Sequence, residues 1–180
     1  RSVLAYGKAM ENPPNYRLHK LHAIAEDVSE HLGIDADSRI EWRNSIPRDL
    51  EIYVDSEQIL RALLNLCRNA VQAMERSAAE VPDAVHRLSL SAEKSDGRVE
   101  LRVADTGPGI RQDGRELFKA FSSSGGNGGT GLGLVIAAEI VRSHGGEIEL
   151  ETTGATGTVF HIVRPCKPHP KRFAPGDPQA

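Results

Sequence analysis

The sequence predicts a two-layer α/β sandwich in which a mixed, mostly antiparallel sheet of about five strands packs on three helices. Helical and β-type patterns alternate along the chain, its strand pairs are joined by tight turns, and it lacks a succession of parallel βαβ units. With 180 residues, 39% of them hydrophobic, the chain is long enough to bury one core. We expect one domain at residues 17–164, preceded at 1–16 by a helix end and linker and followed at 165–180 by a Pro-rich disordered tail.

The first half of the domain contains two helical patterns separated by two short strands. Apolar residues recur every three or four positions over residues 17–32, which predicts an amphipathic helix that Gly33 ends. Short β-compatible runs follow at 40–43 and 50–54. Asp55, with Gln58 three residues later, is typical of a helix N-terminus, and the strongly apolar run at 59–74 predicts a core helix.

The second half is predicted to contain two hairpins around a glycine-rich loop. Residues 85–92 and 98–104 alternate apolar and polar side chains around an Asp96-Gly97 turn. Residues 106–130, rich in glycine and serine, are predicted to form a mobile loop suited to be a lid. A helix is expected at 132–143, and residues 147–152 and 158–163 are expected to form a closing hairpin across 154–157.

Composition excludes several classes of partner. The formal net charge is −3 and no run is dense in Lys or Arg, so nucleic acid is not expected to bind. Cys67 and Cys166 have no metal-ligand spacing and cannot form a disulfide framework. No stretch approaches the ~20 apolar residues of a membrane span. We expect a cytoplasmic fragment without membrane contact; it starts without Met, as an excised piece would, which leaves open a membrane-anchored parent protein.

Two amides on the core helix form the first candidate site. Asn65 and Asn69 are four residues apart and therefore share one face of the helix. An amide oxygen is a suitable ligand for Mg²⁺ that keeps several waters and bridges nucleotide phosphates. The alternative is that the pair only makes hydrogen bonds to a neighbouring strand.

The second candidate site is the run Asp105-Thr106-Gly107-Pro108-Gly109-Ile110, which follows a predicted strand. A carboxylate only accepts hydrogen bonds, so it suits the exocyclic amino group of adenine and opposes the carbonyl group of guanine. Glycine at 107 and 109 lets a ring lie close to the backbone. The alternative is an ordinary turn after a strand.

The third candidate site is the run Gly128-Gly129-Thr130-Gly131-Leu132-Gly133-Leu134, which opens a helix. Uncovered backbone N–H groups at a helix start, together with the helix dipole, favour phosphate binding. Residues 126–131 also satisfy the Rossmann glycine spacing, but no strand leads into them, so we reject a dinucleotide-binding fold.

Taken in order, these segments and the run Leu117-Phe118-Lys119-Ala120-Phe121 resemble the N, G1, F and G2 boxes of histidine kinases. The resemblance covers residues 17–164 and includes a final Gly157-Thr158-Val159-Phe160. It implies the Bergerat-type ATP-binding fold that is shared with DNA gyrase and MutL, with ATP and Mg²⁺ as cofactors.

The resemblance also implies roles for individual residues. It places Mg²⁺ on Asn69 and brings Asn65 and Gln72 close to the phosphates. It places the adenine amino group on Asp105, supported by Thr158. The remaining implied nucleotide contacts are Gly107, Gly109, Ile110, Gly129, Thr130, Gly131, Leu132 and Gly133, and the implied anchors of the lid are Phe118 and Phe121.

Position 65 separates the branches of this superfamily. ATP-hydrolysing relatives have a glutamate general base there, whereas the Asn65 amide cannot take a proton at neutral pH. This favours transfer of the γ-phosphoryl group to a protein nucleophile over hydrolysis. Two departures concern phosphate contacts: Gln72 stands where many sensor kinases have Lys or Arg, and residues 122–125 lack the aromatic-Thr-Thr-Lys of related kinases.

The phosphoacceptor itself is expected outside the chain. None of the seven histidines is followed by an acidic residue, as the acceptor of a histidine kinase usually is. The implied partners are the dimerisation and phosphoacceptor helices of the parent kinase and the receiver domain of a response regulator. The alternatives are an ATP hydrolase, a serine-directed kinase of the anti-sigma type and a nucleotide-free docking adaptor.

Overall fold

The computed structural model describes residues 13–35, 38–80, 85–110, 117–118 and 132–166. Its secondary structure confirms the predicted fold class. The helices are α1 (Leu21–Leu32), α2 (Ser56–Glu80) and α3 (Gly133–Ser143). The strands are β1 (Arg17–Lys20), β2 (Ile40–Asn44), β3 (Glu51–Val54), β4 (His86–Ser95), β5 (Arg98–Asp105), β6 (Glu147–Gly154) and β7 (Gly157–Pro165).

A five-stranded sheet in the order β2-β4-β5-β7-β6 forms one layer. Its β2–β4 pair is parallel and the other pairs are antiparallel. Along β5, Val99, Leu101 and Val103 are buried while Glu100 and Arg102 alternate with them. One face of the sheet therefore packs on the helices and the other carries charged side chains.

Helix α2 supplies the largest apolar surface to this core, and its start is capped as the sequence predicts. Side chains on its inner face are buried, and Leu63, Leu66 and Met74 are at most 1% exposed. The Gln58 N–H donates to Asp55 Oδ1 at 3.1 Å, which satisfies a backbone donor that the helix cannot. Within the described residues, no helix combines the length and the apolar character needed to cross a membrane.

The prediction of one continuous helix over residues 17–32 is wrong for its first four residues. Residues 17–20 form β1, which pairs antiparallel with β3 in a separate two-stranded sheet. Only α1 follows the helical pattern, and Gly33 ends it in the left-handed conformation as predicted. Leu18 fits the apolar spacing of the helix, but in the structure it is 59% exposed and lies opposite Tyr53.

The two residues before β1 are hydrogen-bonded to the start of α2 and to the end of α3. The Asn15 N–H donates to Asp55 Oδ2 at 2.8 Å, and the Tyr16 hydroxyl donates to the Ser143 carbonyl at 2.9 Å. Buried His144 accepts from the Asp55 N–H through Nε2, so its proton lies on Nδ1 and is donated to the Ile140 carbonyl. Residues 1–12 and 167–180, predicted as a helix end with linker and as a disordered tail, lie outside the described residues.

Replacing Asp55 with alanine is expected to lower the free energy of unfolding by about 0.5–2 kcal/mol, the usual cost of losing an N-cap. Partial burial opposes ionisation of Asp55, but hydrogen bonds from Asn15 and Gln58 prevail and lower its pKa in the folded state. The stabilisation that ionised Asp55 provides is therefore present above the ordinary aspartate pKa of 3.8. It is lost as the pH falls through the lower pKa that Asp55 has in the folded state.

Urea denaturation at neutral and acidic pH measures this effect. The matched control is Asp49→Ala in an exposed turn, which should unfold like the wild type. A stability difference between wild type and Asp55→Ala that does not shrink at acidic pH would contradict this assignment.

Candidate functional site

Helix α2 carries the first group of predicted site residues along one of its sides. Asn65 and Asn69 are half-buried and Gln72 is exposed, at spacings of three and four residues that keep them adjacent. The Asn65 Nδ2 atom is enclosed and has no hydrogen-bond partner among the described residues. A buried amide donor without a partner is costly, so the site is suited to an acceptor group from a ligand.

The Asp105 carboxyl group lies at the end of β5, between β4 and β7. The Gly107 N–H donates to its Oδ1 at 2.8 Å, and the backbone N–H of Thr158 donates to it as well. Burial raises the pKa of Asp105, although these two hydrogen bonds and the nearby His86 oppose the rise. The result is a partly desolvated acceptor with a fixed orientation.

The segment after Asp105 passes so close to its neighbours that side chains are excluded. A Cβ atom on Gly107 would lie 2.9 Å from Asp105 Oδ1 and 3.2 Å from the Cγ of Met74. Gly109 has a φ of +82°, and a Cβ there would lie 2.3 Å from the Gly154 carbonyl oxygen. Glycine is therefore required at 109 to hold the loop against the end of β6, and a side chain at 107 would displace the Asp105 carboxylate or Met74.

The start of α3 approaches the amides of α2. A Cβ atom on Gly133 would lie 3.9 Å from Asn65 Oδ1, so the structure brings the first and third predicted sites together. Leu132 caps this helix without a side-chain hydrogen bond, which leaves the positive end of the helix dipole beside Asn65. Gly129, Thr130 and Gly131 lie outside the described residues.

The phenylalanine-containing segment is described only at residues 117 and 118. Leu117 is 4% exposed, and the Phe118 ring meets Phe160 of β7 edge-on with centroids 6.0 Å apart. The segment is thus attached to the core at this point. Phe121 and most of the predicted lid lie outside the described residues.

Two ends of one elongated site can be distinguished along α2. Asn65 faces the start of α3, while Met74, nine residues further on, contacts the loop after Asp105. At 1.5 Å per residue these ends are about 13 Å apart. Cys67 lies between them, and its thiol pKa is raised by burial and then by the charge of Asp105. The arrangement suits a ligand with a polar ring at one end and anionic groups at the other.

The sequence did not identify three residues around Asp105. Met74 lies beneath Gly107, His86 is buried and its Nδ1 is 3.3 Å from the Thr106 carbonyl oxygen, and the Thr153 hydroxyl accepts from the Ile110 N–H at 2.8 Å. The sequence predicts that Met74 lies on an apolar helix, but it does not predict that this residue lies near Asp105. The other two depend on strand pairing that no local pattern reports.

The chain resembles known proteins in sequence and in fold. Residues 54–168 match the family described as histidine kinase-, DNA gyrase B-, and HSP90-like ATPase. The chain is 31% identical over 154 residues to the sensor-like histidine kinase SenX3 of Mycolicibacterium smegmatis, an alignment covering 82% of this chain and 38% of SenX3. The alignment to SenX3 and a second one to the Salmonella typhimurium kinase/phosphatase NtrB each span less than half of the relative.

Two solved structures have the same fold over most of the chain. The mycobacterial sensor histidine kinase MprB superposes with a TM-score of 0.69 at 26% identity, covering 85% of this chain and 99% of that one. Full-length ShkA in complex with AMPPNP superposes with a TM-score of 0.70 at 27% identity, covering 88% and 32%. The chain therefore belongs to the histidine kinase-, DNA gyrase B- and HSP90-like ATPase family and carries the ATP-binding catalytic domain of a histidine kinase.

Proposed function

We propose that this domain binds Mg-ATP and transfers the γ-phosphoryl group to a histidine on the dimerisation and phosphoacceptor helices of its parent kinase. The phosphoryl group then passes to the receiver domain of a response regulator. The proposal places this phosphoryl transfer in the cytoplasm, whether or not the parent kinase is anchored in a membrane. SenX3 and MprB, both named as histidine kinases, support this proposal.

The observation that carries the proposal is the amide at position 65. Hydrolysis needs a general base to take a proton from water, and a neutral amide cannot do so. Asn65 instead places a buried N–H group, which has no partner among the described residues, next to the start of α3, where it can donate to a phosphate oxygen. Positioning and charge stabilisation are what phosphoryl transfer requires from a protein.

Asp105 is the proposed base-recognition group. Its two backbone hydrogen bonds fix the carboxylate, and partial burial keeps water from competing with a ligand. A fixed acceptor suits the amino group of adenine and repels the carbonyl oxygen that guanine presents at that position. Selection of ATP over GTP follows from this arrangement.

The residues present suit a Mg²⁺ ion bound mainly by the nucleotide. No cluster of three or more His, Cys, Asp or Glu side chains able to hold a metal occurs in the part of the chain that is described. Asn69, half-buried one turn after Asn65, offers an amide oxygen of the type that joins waters and phosphates around Mg²⁺. When bound, the ion would neutralise negative charge on the phosphates.

Most of the described histidines are engaged in the structure of the domain itself, which supports an acceptor outside it. Of the described histidines, those at 22, 31, 86, 144 and 161 have a ring nitrogen within hydrogen-bond distance of another group. His144 is 3% exposed and both its nitrogens are hydrogen-bonded. His161 lies between Glu100 and Glu149 at 3.1 Å from each.

Replacing Asp105 with asparagine is expected to weaken ATP binding roughly 10- to 100-fold, because a charged acceptor is lost and an amide donor faces the adenine amino group. GTP binding should not weaken in parallel, so the preference for ATP should shrink. Calorimetric titration with both nucleotides measures the two affinities.

Asp96→Asn is the matched control, since it makes the same chemical change in the exposed turn between β4 and β5. It should bind ATP like the wild type. An Asp105→Asn variant that keeps the full preference for ATP would rule out base recognition by this carboxylate.

The isolated chain is expected to bind Mg-ATP and to release phosphate at close to the background rate, because no general base stands at position 65. Asn69→Ala should weaken ATP binding in the presence of Mg²⁺ and have a smaller effect in EDTA. Titration with ATP in both buffers and a phosphate-release assay measure these properties. Steady phosphate release that Asn69→Ala abolishes would instead indicate a hydrolase.

A further inference from the structure

The Thr153 hydroxyl connects the loop after Asp105 to the neighbouring hairpin. It accepts a hydrogen bond from the Ile110 N–H at 2.8 Å, and its oxygen is 3.1 Å from the hydroxyl oxygen of Thr158. A hydroxyl group has one donor and two acceptor sites, so Thr153 can serve both partners at once. Ile110 and Thr153 are 43 residues apart in sequence, and this contact therefore fixes tertiary structure.

A β-bulge is what brings Thr153, rather than Thr152, to this position. Leu150 pairs with Phe160, but Thr152 pairs with Val159, which leaves residue 151 as the extra residue of β6. Without that extra residue Thr152 would lie opposite Thr158. With it, Thr153 does, and Thr152 serves as a natural comparison one position away.

Thr153 reaches Asp105 through a single intervening residue. Thr158 is 2% exposed and lies opposite Thr153 on one side and opposite Asp105 on the other. Its backbone N–H donates to the Asp105 carboxylate. Both ends of the 105–110 segment are thereby held: Asp105 by Thr158, and Ile110 by Thr153.

Gly109 lies so close to the Gly154 carbonyl that the loop has little freedom to shift. The position that a Cβ of Gly109 would occupy lies only 2.3 Å from that oxygen, so the loop rests directly on the β6–β7 turn. The Ile110–Thr153 hydrogen bond is directional and forms beside this contact. A valine at 153 would preserve the shape but leave the Ile110 N–H without its protein acceptor.

We propose that Thr153 is a positioning residue for base recognition, holding the Gly107–Ile110 side of the adenine site in register with Asp105. The inference rests on the proposed binding of ATP by this domain. Because Thr153 acts at the base end, its loss should affect every adenine nucleotide equally, whatever its phosphates and whether or not Mg²⁺ is present. This distinguishes it from Asn69, whose effect should depend on Mg²⁺.

Three variants of the chain test the proposal: Thr153→Val, Thr153→Ser and the control Thr152→Val. Titrations with ATP and ADP, each with Mg²⁺ and with EDTA, measure binding. Thr153→Val should weaken all four affinities by a similar factor, roughly two- to tenfold for the loss of one hydrogen bond. Thr153→Ser, which keeps the hydroxyl group, and Thr152→Val should both bind like the wild type.

Amide hydrogen exchange in the nucleotide-free chain provides a second readout that needs no ligand. The Ile110 amide should exchange faster in Thr153→Val and at the wild-type rate in Thr153→Ser, with little change in the thermal unfolding midpoint. Wild-type affinity in Thr153→Val, an equal defect in Thr153→Ser, or a defect confined to Mg-ATP would each overturn the inference while leaving ATP binding intact. A wild-type chain that binds neither nucleotide would overturn the proposed function and this inference with it.

Discussion

The structure of the site depends on how the Asp105 carboxyl group is held at the end of β5. Burial alone favours its neutral form and raises its pKa, whereas N–H donors from Gly107 and Thr158 favour the ionised form. These donors come from the following loop and from β7. The loop after β5 has to turn back closely enough to reach the carboxylate, and this leaves no room for a side chain at position 107. A single acceptor thus determines the backbone path on both sides of it.

Helix α2 contributes apolar side chains to the core and amide side chains to the candidate site. Its fully buried leucines contribute about 1.5–3 kcal/mol each through apolar burial, whereas a buried amide donor without a partner costs about 1–3 kcal/mol. The apolar residues are the more numerous, so the helix can hold Asn65 in a partly enclosed position. The same rigid helix then fixes the separation between the two ends of the candidate site, at Asn65 and beside Met74, which loops alone would leave variable.

Local patterns in the sequence predicted most elements because the helices are strongly periodic and the hairpin turns are chemically distinctive, as at Asp96-Gly97. They failed at residues 17–20, where Leu18 continues the helical spacing while pairing with β3 decides the conformation. The three candidate sites were recognised as separate segments, and the structure brings the Asn65 and Gly133 segments together. Thr153 could not have been found in this way: its position opposite Thr158 depends on one extra residue in β6, and the alternation of side chains does not reveal a bulge.

The Asn65 side-chain N–H, which has no partner in the part of the chain that the structure describes, distinguishes this site from a cluster whose polar groups are all hydrogen-bonded to each other. Evolution toward stability alone would replace such an amide with an apolar side chain, since removing a polar group is often harmless when no partner is left behind. His86, at the other end of α2, likewise has a buried Nε2 without a partner among the described residues. Around Thr153 and Thr158, by contrast, the polar groups bond to each other. The hydroxyl and N–H groups that position the loop after Asp105 are therefore satisfied within the protein, whereas the Asn65 donor beside the start of α3 is left for the proposed nucleotide to satisfy.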